Sequence, residues 1–213
     1  MDPHTYNALI HGLCEVGQLE EAIGMIQEML CRGLNPNVVT YTGVIGRLCK
    51  EGRVDEALRL FDMMIQKGAG PNEFTYCTLL NWLCKGGRLE EAIGLFCQME
   101  ERGFSNNLVA YNILICGFCK MGNMDKARKL LQEIRRKGTK PVVITYYTLM
   151  DGYCKIGNIE AAQDLLCDME RQGLRPNVVS YNTLISGFCK VGDLKHVQIW
   201  WKKWPIKEWS LML

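Results

Sequence analysis

The chain of 213 residues has a formal net charge of +2, too small either to indicate a nucleic-acid partner or to exclude one. Its 48% hydrophobic and 23% charged residues are typical of a folded soluble protein. No run of about 18 apolar residues occurs, so the sequence predicts no transmembrane helix.

One pattern recurs six times along the chain at a fixed interval of 35 residues. Its last copy is Tyr181-Asn-Thr-Leu-Ile-Ser-Gly-Phe-Cys-Lys-Val-Gly192. The recurring positions are Tyr6, Tyr41, Tyr76, Tyr111, Tyr146 and Tyr181, Cys14, Cys49, Cys84, Cys119, Cys154 and Cys189, and Gly17, Gly52, Gly87, Gly122, Gly157 and Gly192. A fixed interval of this length indicates a solenoid, which has no single central core. We therefore predict an all-α fold, a right-handed α-solenoid of helix–turn–helix repeats.

The interval divides the chain into five full repeats, one partial repeat and a tail. The predicted bounds are 3–37, 38–72, 73–107, 108–142, 143–177, 178–197 for the partial repeat, and 198–213 for the tail. Four of the five tryptophans lie in this tail, at Trp200, Trp201, Trp204 and Trp209. These residues favour the interpretation that the tail is an irregular cap covering the apolar face of the last repeat. The alternative is a segment that binds a membrane surface or a protein partner.

Each repeat contains two helical patterns. Tyr6, Leu9, Ile10, Leu13 and Cys14 are predicted to share one apolar face of the first helix, which Gly17 ends. In the second helix an alanine marks a close helix crossing, at Ala22, Ala57, Ala92, Ala127 and Ala162. Acidic pairs lie in the first turn of the second helix, where the helix dipole stabilises negative charge: Glu20-Glu21, Asp55-Glu56 and Glu90-Glu91. C-cap glycines end it, at Gly33, Gly68, Gly103, Gly138 and Gly173.

The eleven cysteines are predicted to be reduced thiols in a reducing compartment. Their number is odd, and packed helices lie about 8–10 Å apart, beyond the roughly 7 Å between Cα atoms that a disulfide allows. The six cysteines of the repeat are therefore expected to pack as small apolar side chains. The start, Met1-Asp-Pro-His4, resembles neither a signal peptide nor a transit peptide, which suggests a fragment or a mature form.

A second stripe of the first helix is not explained by the core. The second, fifth, ninth and thirteenth places of each repeat share one face. Across the repeats this face has an apolar edge, a variable and mostly polar middle, and a lysine edge at Lys50, Lys85, Lys120, Lys155 and Lys190. Such a ribbon suits a linear polyanion with one element per repeat. Each lysine also lies near a helix end, where the dipole alone would favour it, so both interpretations stay open.

These residues resemble the pentatricopeptide repeat family in its uniform 35-residue form, the P-class. The matching segments are Val-Val-Thr-Tyr at 38–41, Tyr-Asn-Thr-Leu-Ile-Ser-Gly-Phe-Cys-Lys at 181–190, Gly-Arg-Leu-Glu-Glu-Ala at 87–92 and Arg-Pro-Asn-Val-Val at 175–179. The related tetratricopeptide repeat has a 34-residue period. The resemblance implies a single-stranded RNA-binding protein that recognises one base per repeat. It also implies a role in RNA processing, stability or translation in mitochondria or chloroplasts.

The resemblance further implies a role for individual positions. The fifth and last residues of a repeat would read the base: Asn7 and Asn37, Thr42 and Asn72, Cys77 and Asn107, Asn112 and Val142, Tyr147 and Asn177, and Asn182 alone. The second residue would wedge between bases: His4, Val39, Phe74, Val109, Ile144 and Val179. The implied target, 5′ to 3′, is pyrimidine–A–any–pyrimidine–any–pyrimidine, with C favoured at the first position.

No enzyme or metal signature accompanies the repeats. His4, His11 and His196 are the only histidines, and none belongs to the zinc-deaminase pattern. Cys116 and Cys119 form a CxxC without a second pair at zinc spacing. We expect no catalytic residue, no metal and no cofactor. The competing hypotheses are a protein-interaction scaffold, the habit of other helical repeats, and a truncated relative whose RNA site has degenerated.

Overall fold

In the computed structural model, residues 2–193 and 195–198 are described. This part of the chain contains eleven complete α-helices, a short helical segment at 195–198 and no strand. The helices are α1 (Pro3–Val16), α2 (Leu19–Cys31), α3 (Val38–Lys50), α4 (Val54–Gln66), α5 (Glu73–Lys85), α6 (Leu89–Glu101), α7 (Leu108–Lys120), α8 (Met124–Arg136), α9 (Val143–Lys155), α10 (Ile159–Arg171) and α11 (Val178–Lys190). The Trp-rich tail at 199–213 lies outside the described residues. No described helix is both long and apolar enough to span a membrane.

A glycine in the left-handed conformation follows the second helix of each full repeat, as predicted. Gly33, Gly68, Gly103, Gly138 and Gly173 all have φ between 72° and 93°. Because glycine adopts positive φ without a steric penalty, the chain can turn here and let the next helix begin. Gly17 ends α1 in the same way, at φ 82°.

The chain divides into two compact units, an N-terminal unit (Met1–Ile113) and a C-terminal unit (Leu114–Leu213). Within the N-terminal unit, α1, α3 and α5 pack side by side, and each also packs on the second helix of its own repeat. The recurring tyrosines fill the space between these layers: Tyr6, Tyr41 and Tyr76 are 0% exposed and Tyr111 is 1% exposed. The ring of Tyr76 meets that of Phe61 edge-on, with centroids 5.3 Å apart.

The C-terminal unit repeats this packing. There α9 lies against α8, α10 and α11, and Tyr146 is fully buried between them. The phenol oxygen of Tyr146 accepts a hydrogen bond from the Arg135 guanidinium at 2.5 Å, and that guanidinium also forms an ion pair with Asp168. The predicted close-crossing alanines are fully buried in both units: Ala22, Ala57, Ala92, Ala127 and Ala162.

The cysteines of the repeat are core residues with one exception. Cys14, Cys49, Cys84, Cys119 and Cys154 are buried, whereas Cys189 is exposed. The prediction of a core position was wrong for Cys189. Cys154 is covered because Gly187 of the following repeat lies against it, and no equivalent residue follows Cys189 in the described part of the chain.

Arginines add ion pairs between neighbouring repeats, which the sequence pattern did not predict. Arg53 Nη2 lies 2.5 Å from Glu20 Oε1 in the preceding repeat and 2.6 Å from Glu56 Oε2 in its own. Arg88 repeats the arrangement one repeat later, with Asp55 at 2.7 Å and Glu91 at 2.6 Å. The acidic residues predicted to favour the helix dipole therefore also tie adjacent repeats together.

Candidate nucleic-acid interface

The predicted wedge residues are large apolar side chains exposed on the first helices. Val39 is 75% exposed, Phe74 69%, Val109 60%, Ile144 49% and Val179 47%. His4 is exposed at the same place of the first repeat. Since none of the five apolar side chains is buried, packing within the described chain does not account for their recurrence.

The predicted phosphate contacts lie at the other end of the same helices. Lys50, Lys85, Lys120, Lys155 and Lys190 are the last residues of α3, α5, α7, α9 and α11, and all five are exposed. Two of these lysines interact with a neighbour on the same helix. Lys155 Nζ lies 2.5 Å from Asp151 Oδ2, and Lys85 Nζ lies 4.5 Å from the ring centroid of Trp82. The carboxylate of Asp151 raises the pKa of Lys155 and offsets its positive charge.

Where a repeat ends in asparagine, that asparagine caps the next first helix. Asn37 Oδ1 accepts a hydrogen bond from Thr40 N at 2.8 Å, and Asn72 Oδ1 accepts one from Thr75 N at 2.9 Å. Asn177 does the same for Ser180 N at 3.1 Å. An asparagine cap satisfies a helix-start amide that would otherwise lack a partner. The oxygen of each of these three capping asparagines is thus engaged, and its Nδ2 group is the donor side of the amide.

In the first repeat the two predicted base-reading residues are joined through a threonine. The Thr40 hydroxyl donates to Asn7 Oδ1 at 2.6 Å and also lies 3.0 Å from Asn37 Oδ1. Asn7 is half-buried and Asn37 exposed. The Thr40 hydroxyl therefore orients the Asn7 amide and the Thr40 backbone N–H orients the Asn37 amide, so that both oxygens face Thr40.

The second repeat uses the same link with a different polarity. Thr75 Oγ1 lies 2.7 Å from Thr42 Oγ1 and donates to Asn72 Oδ1 at 2.9 Å. A hydroxyl carries a single proton, so when Thr75 donates to Asn72 the Thr42 hydroxyl must donate to Thr75. Thr42 is then left with lone pairs for any further partner. It is only 7% exposed, the most buried of the predicted base-reading residues in the N-terminal unit.

In the third repeat both the oxygen and the nitrogen of the Asn107 amide are hydrogen-bonded within the protein. Asn107 Oδ1 accepts from Ala110 N at 2.9 Å and is 3.8 Å from Cys77 Sγ, while Asn107 Nδ2 donates to Glu73 Oε2 at 2.8 Å. Burial raises the pKa of the Cys77 thiol to about 11, so it remains a protonated donor at neutral pH. Ala110 occupies the place of the linking threonine, which is why the thiol contacts the asparagine directly.

The remaining predicted base-reading residues lie on the later helices. Asn112 is half-buried on α7 in the N-terminal unit. Val142 immediately precedes α9 in the C-terminal unit, where its backbone N–H donates to Thr145 Oγ1 at 3.4 Å. Tyr147 is half-buried and Asn177 exposed. Asn182, Val179 and Lys190 line one groove of about 290 Å³ together with Asp151.

The N-terminal unit, taken by itself, has a larger groove. It encloses about 460 Å³ and is lined from the first repeat by Asn7, from the second by Val39, Thr42 and Lys50, and from the third by Phe74. One predicted wedge, one predicted base-reading residue and one predicted phosphate contact of the second repeat therefore meet in a single groove.

Sequence reasoning missed the threonines that link the base-reading residues. Thr40 and Thr75 stand at the third place of their repeats, and Thr145 and Ser180 occupy that place later in the chain. Both linking threonines are buried, and so are the other two hydroxyl side chains. Their 35-residue recurrence was visible in the sequence, and a buried hydroxyl requires a hydrogen-bond partner. That signal could have predicted the link.

The CxxC on α7 is an ordinary part of a helix that packs in the core. Cys119 is buried, and burial raises the pKa of its thiol to about 12, while Cys116 is half-buried. Within residues 2–193 and 195–198 no group of three histidine, cysteine or acidic side chains is arranged to hold a metal ion.

The chain belongs to the PPR repeat family. The sequence profile of this family matches residues 1–50, 36–85, 106–152 and 141–190, which together cover most of the chain. A second profile, of the single PPR repeat, matches residues 74–104 and 179–205. No curated protein matches the sequence.

Solved structures confirm the helical-repeat fold. The chain is similar to the pentatricopeptide repeat protein PPR10 from maize, with 25% identity and a TM-score of 0.80 over 93% of this chain and 28% of PPR10. It is also similar to PPR10 in complex with an 18-nt psaJ RNA element, with 26% identity and a TM-score of 0.75 over 94% and 29%. The PPR domain of Arabidopsis thaliana protein-only RNase P 1, in complex with tRNA, has 16% identity and a TM-score of 0.68 over 87% and 97%. The chain spans less than a third of the PPR10 chain.

Proposed function

We propose that the chain binds single-stranded RNA with sequence selectivity, one base per repeat, and acts without catalysis on the processing, stability or translation of an organellar transcript. The observation that carries the proposal is the groove where Val39, Thr42, Lys50 and Phe74 meet. An apolar wall suits the face of a base, a polar group suits its edge, and a cation suits the phosphate. The PPR10 structure with an RNA element lends family support.

The hydrogen-bond polarity of the first repeat favours cytosine. The oxygens of Asn7 and Asn37 are directed at Thr40, so both asparagines would present Nδ2 donors to a base. Cytosine offers two adjacent acceptors, N3 and O2, whereas uracil has a donor at N3. Two donors from the protein therefore match cytosine better than uracil.

The second repeat has the polarity that adenine requires. The hydroxyl of Thr42, with its proton directed to Thr75, offers an acceptor, and Asn72 offers its Nδ2 donor. Adenine presents the N6 amino donor beside the N1 acceptor on its Watson–Crick edge. Guanine places an acceptor and a donor in the opposite order, so it matches this pair poorly.

Selectivity should be weak from the third repeat onward. Asn107 uses its oxygen and its amide group within the protein, and Val142 has no polar side chain. We therefore assign any base to the third repeat and to the repeat holding Tyr147, and a pyrimidine to the repeats holding Asn112 and Asn182. Lys155 should contribute less to phosphate binding than Lys120, because Asp151 already offsets its charge.

The test is a fluorescence titration with RNA oligomers of two kinds. One contains pyrimidine–A–any–pyrimidine–any–pyrimidine with C first, and the other has the same composition scrambled. We expect tighter binding of the first, by about five- to 150-fold for each base contact of about 1–3 kcal/mol that is lost in the scrambled RNA. Lys120→Gln should weaken both RNAs, and Lys155→Gln should weaken them less.

Equal affinity for the two oligomers would contradict sequence selectivity and would favour a relative with a degenerate site. Absence of binding at low salt would contradict RNA binding altogether. A protein partner captured after RNase treatment, and retained by the lysine variants, would instead support an interaction scaffold.

A further inference from the structure

The tenth place of the first helix distinguishes the second and third repeats from the others. Four repeats carry glycine there, at Gly12, Gly117, Gly152 and Gly187, whereas the second and third carry Arg47 and Trp82. These are two of the bulkiest side chains in the chain, and the roles predicted for the second, fifth, thirteenth and last places do not include them.

Glycine at this place normally fits against the cysteine of the preceding repeat. A Cβ at Gly152 would lie 2.8 Å from Cys119 Sγ, and a Cβ at Gly187 would lie 2.5 Å from Cys154 Sγ. Side chains as large as Arg47 and Trp82 cannot fit in the space that Gly152 and Gly187 occupy, and the Arg47 guanidinium lies beside the end of α1, with Nη2 3.5 Å from a Cβ built at Gly17. Arg47 and Trp82 are both half-buried and line the groove of the N-terminal unit.

That groove is deeper along the second repeat than along the third, because two glycines line it there. Gly43 and Gly46 line it, whereas the third repeat has Thr78 and Asn81 at the equivalent places. A Cβ added at Gly43 would have no heavy atom within 4 Å, so the space above it is open. The missing side chains leave a hollow beside Trp82 into which a flat group can enter.

The charge beside the hollow is predominantly positive. Arg47 and Lys50 line it, and the Lys85 ammonium lies 4.5 Å from the Trp82 ring centroid. Two carboxylates are near: Glu15 lines the groove, and Glu51 Oε1 lies 3.3 Å from Arg47 Nε. Three cations face two anions, so a phosphate group would find net attraction there. The contact of Lys85 with the indole also holds one cation beside a ring that can stack.

We propose that Arg47 and Trp82 form an additional RNA contact that is particular to the second and third repeats. In this contact a nucleobase enters the hollow above Gly43 and stacks on the ring of Trp82. Arg47 and Lys50 bind the adjoining phosphate. The contact rests on the proposed RNA-binding function and adds affinity without adding base selectivity, because every base has a flat face.

The experiment compares two substitutions with matched controls. Trp82→Leu removes the flat ring but keeps an apolar helix former, while Trp82→Phe keeps a ring. Arg47→Gln removes one charge from the groove, and Arg59→Gln removes one from the exposed face of α4, which contributes no residue to the groove. Affinity is measured by fluorescence titration at several salt concentrations for the matched and scrambled RNAs, and folding by circular dichroism.

We expect Trp82→Leu to weaken both RNAs equally, by about fivefold or more, the order for loss of one stacked base. Trp82→Phe should recover most of that loss. Arg47→Gln should weaken both RNAs by about tenfold, the order for one charge-assisted hydrogen bond. It should also reduce the slope of log K against log salt by about 0.7, whereas Arg59→Gln should leave affinity and slope near the wild-type values.

Three results would overturn the contact. The first is an affinity for RNA within about twofold of the wild type for both Trp82→Leu and Arg47→Gln. The second is an equal loss of affinity for Arg59→Gln and Arg47→Gln. A loss confined to the matched RNA would show that the two residues read a base. In each case the wild type still binds RNA, so the proposed function survives. Absence of wild-type binding would remove the function and the contact together.

Discussion

The asparagine that ends a repeat has two roles that can be separated. Its oxygen caps a helix, and its amide donor is the group we propose to face a base. Asn37 Oδ1 accepts from Thr40 N at 2.8 Å, so the cap is formed without RNA. Aspartate caps a helix about as well as asparagine, while alanine does not. The two substitutions therefore affect the two roles differently.

We predict that Asn37→Asp keeps stability and changes base preference, because a carboxylate replaces a donor with an acceptor. Selectivity at the first position should move from C toward U, whose N3–H can donate to the carboxylate. Asn37→Ala should lower the free energy of unfolding by about 1 kcal/mol through loss of the cap. Chemical denaturation measures the free energy of unfolding, and titration with C- and U-containing RNAs measures the base preference.

Asn35 provides the control for this pair, because it is exposed two residues earlier in the loop before α3. Asn35→Asp makes the same change of charge outside the helix and should leave the base preference unchanged. If Asn37→Asp had the same preference between C and U as Asn35→Asp and the wild type, that result would contradict a base-reading role for Asn37.

At this scale the sequence could predict which positions face outward but not how their protons are arranged. The 35-residue pattern placed Cys77 on the second stripe of the first helix and Asn107 at the end of the third repeat. The sequence could not predict that Asn107 Nδ2 donates to Glu73 Oε2 at 2.8 Å, because that contact depends on the conformations of two side chains 34 positions apart. A predicted base-reading residue whose groups are already paired differs chemically from one whose donor side is open.

Among the elements, α9 and α11 owe their close packing on the preceding repeat to glycine. Gly152 of α9 lies against Cys119 and Met124, and a Cβ built on it would come within 2.9 Å of both residues. Overpacking of this kind costs about 1–3 kcal/mol because neighbouring side chains must move. The exposed glycines of other helices have no such constraint.

Gly152→Ala is therefore expected to lower the free energy of unfolding by about 1–3 kcal/mol. Gly24→Ala in α2 should raise it by about 0.5–1 kcal/mol, since a Cβ there meets no heavy atom within 4 Å and alanine favours the helix. Denaturant unfolding of both variants, with Cys119→Ala added to Gly152→Ala, tests the cause. If Cys119 is the obstacle, the double variant should recover part of the loss. Stabilisation by Gly152→Ala alone would contradict the packing argument.

Helix positions were the most predictable elements because glycine at positive φ and capping asparagines mark their ends chemically. The first helices begin at Pro3, Val38, Glu73, Leu108, Val143 and Val178. The burial of Cys189 was predicted wrongly, since a residue of a repeat is buried only where the next repeat covers it. Periodicity reports the pattern and not the presence of that neighbour.

For the molecule as a whole, a repeat protein depends on contacts between adjacent repeats rather than on one core. The period predicted this architecture from sequence. It did not predict the ion pairs of the N-terminal unit, because acidic residues at a helix start are already explained by the dipole. The structure adds that Arg53 and Arg88 each join an acidic residue of their own repeat to one of the repeat before.

These pairs make stability depend on pH in acid. Hydrogen bonds from Arg53 lower the pKa of Glu56, and those from Arg88 lower the pKa of Glu91. A carboxyl whose pKa is lower in the folded than in the unfolded state stabilises the fold above its unfolded pKa, which is about 4.3 for glutamate. That stabilisation is lost as the pH falls through the folded value. The fold should therefore lose the contribution of both pairs below about pH 4.

The double variant Arg53→Met/Arg88→Met is expected to have a lower Tm than the wild type at pH 7. The difference should shrink as the pH falls toward 3, because protonation removes the same pairs from the wild type. Both side chains are about a third exposed, so solvent screening should keep the difference small and make added salt reduce it. Arg128→Met on the exposed face of α8 is the matched control, with no ion pair between repeats to lose, and its Tm should follow the wild type at every pH. A Tm difference for the double variant that stays constant from pH 7 to pH 3 would mean that Arg53 and Arg88 stabilise the repeats by packing of their side chains rather than by charge.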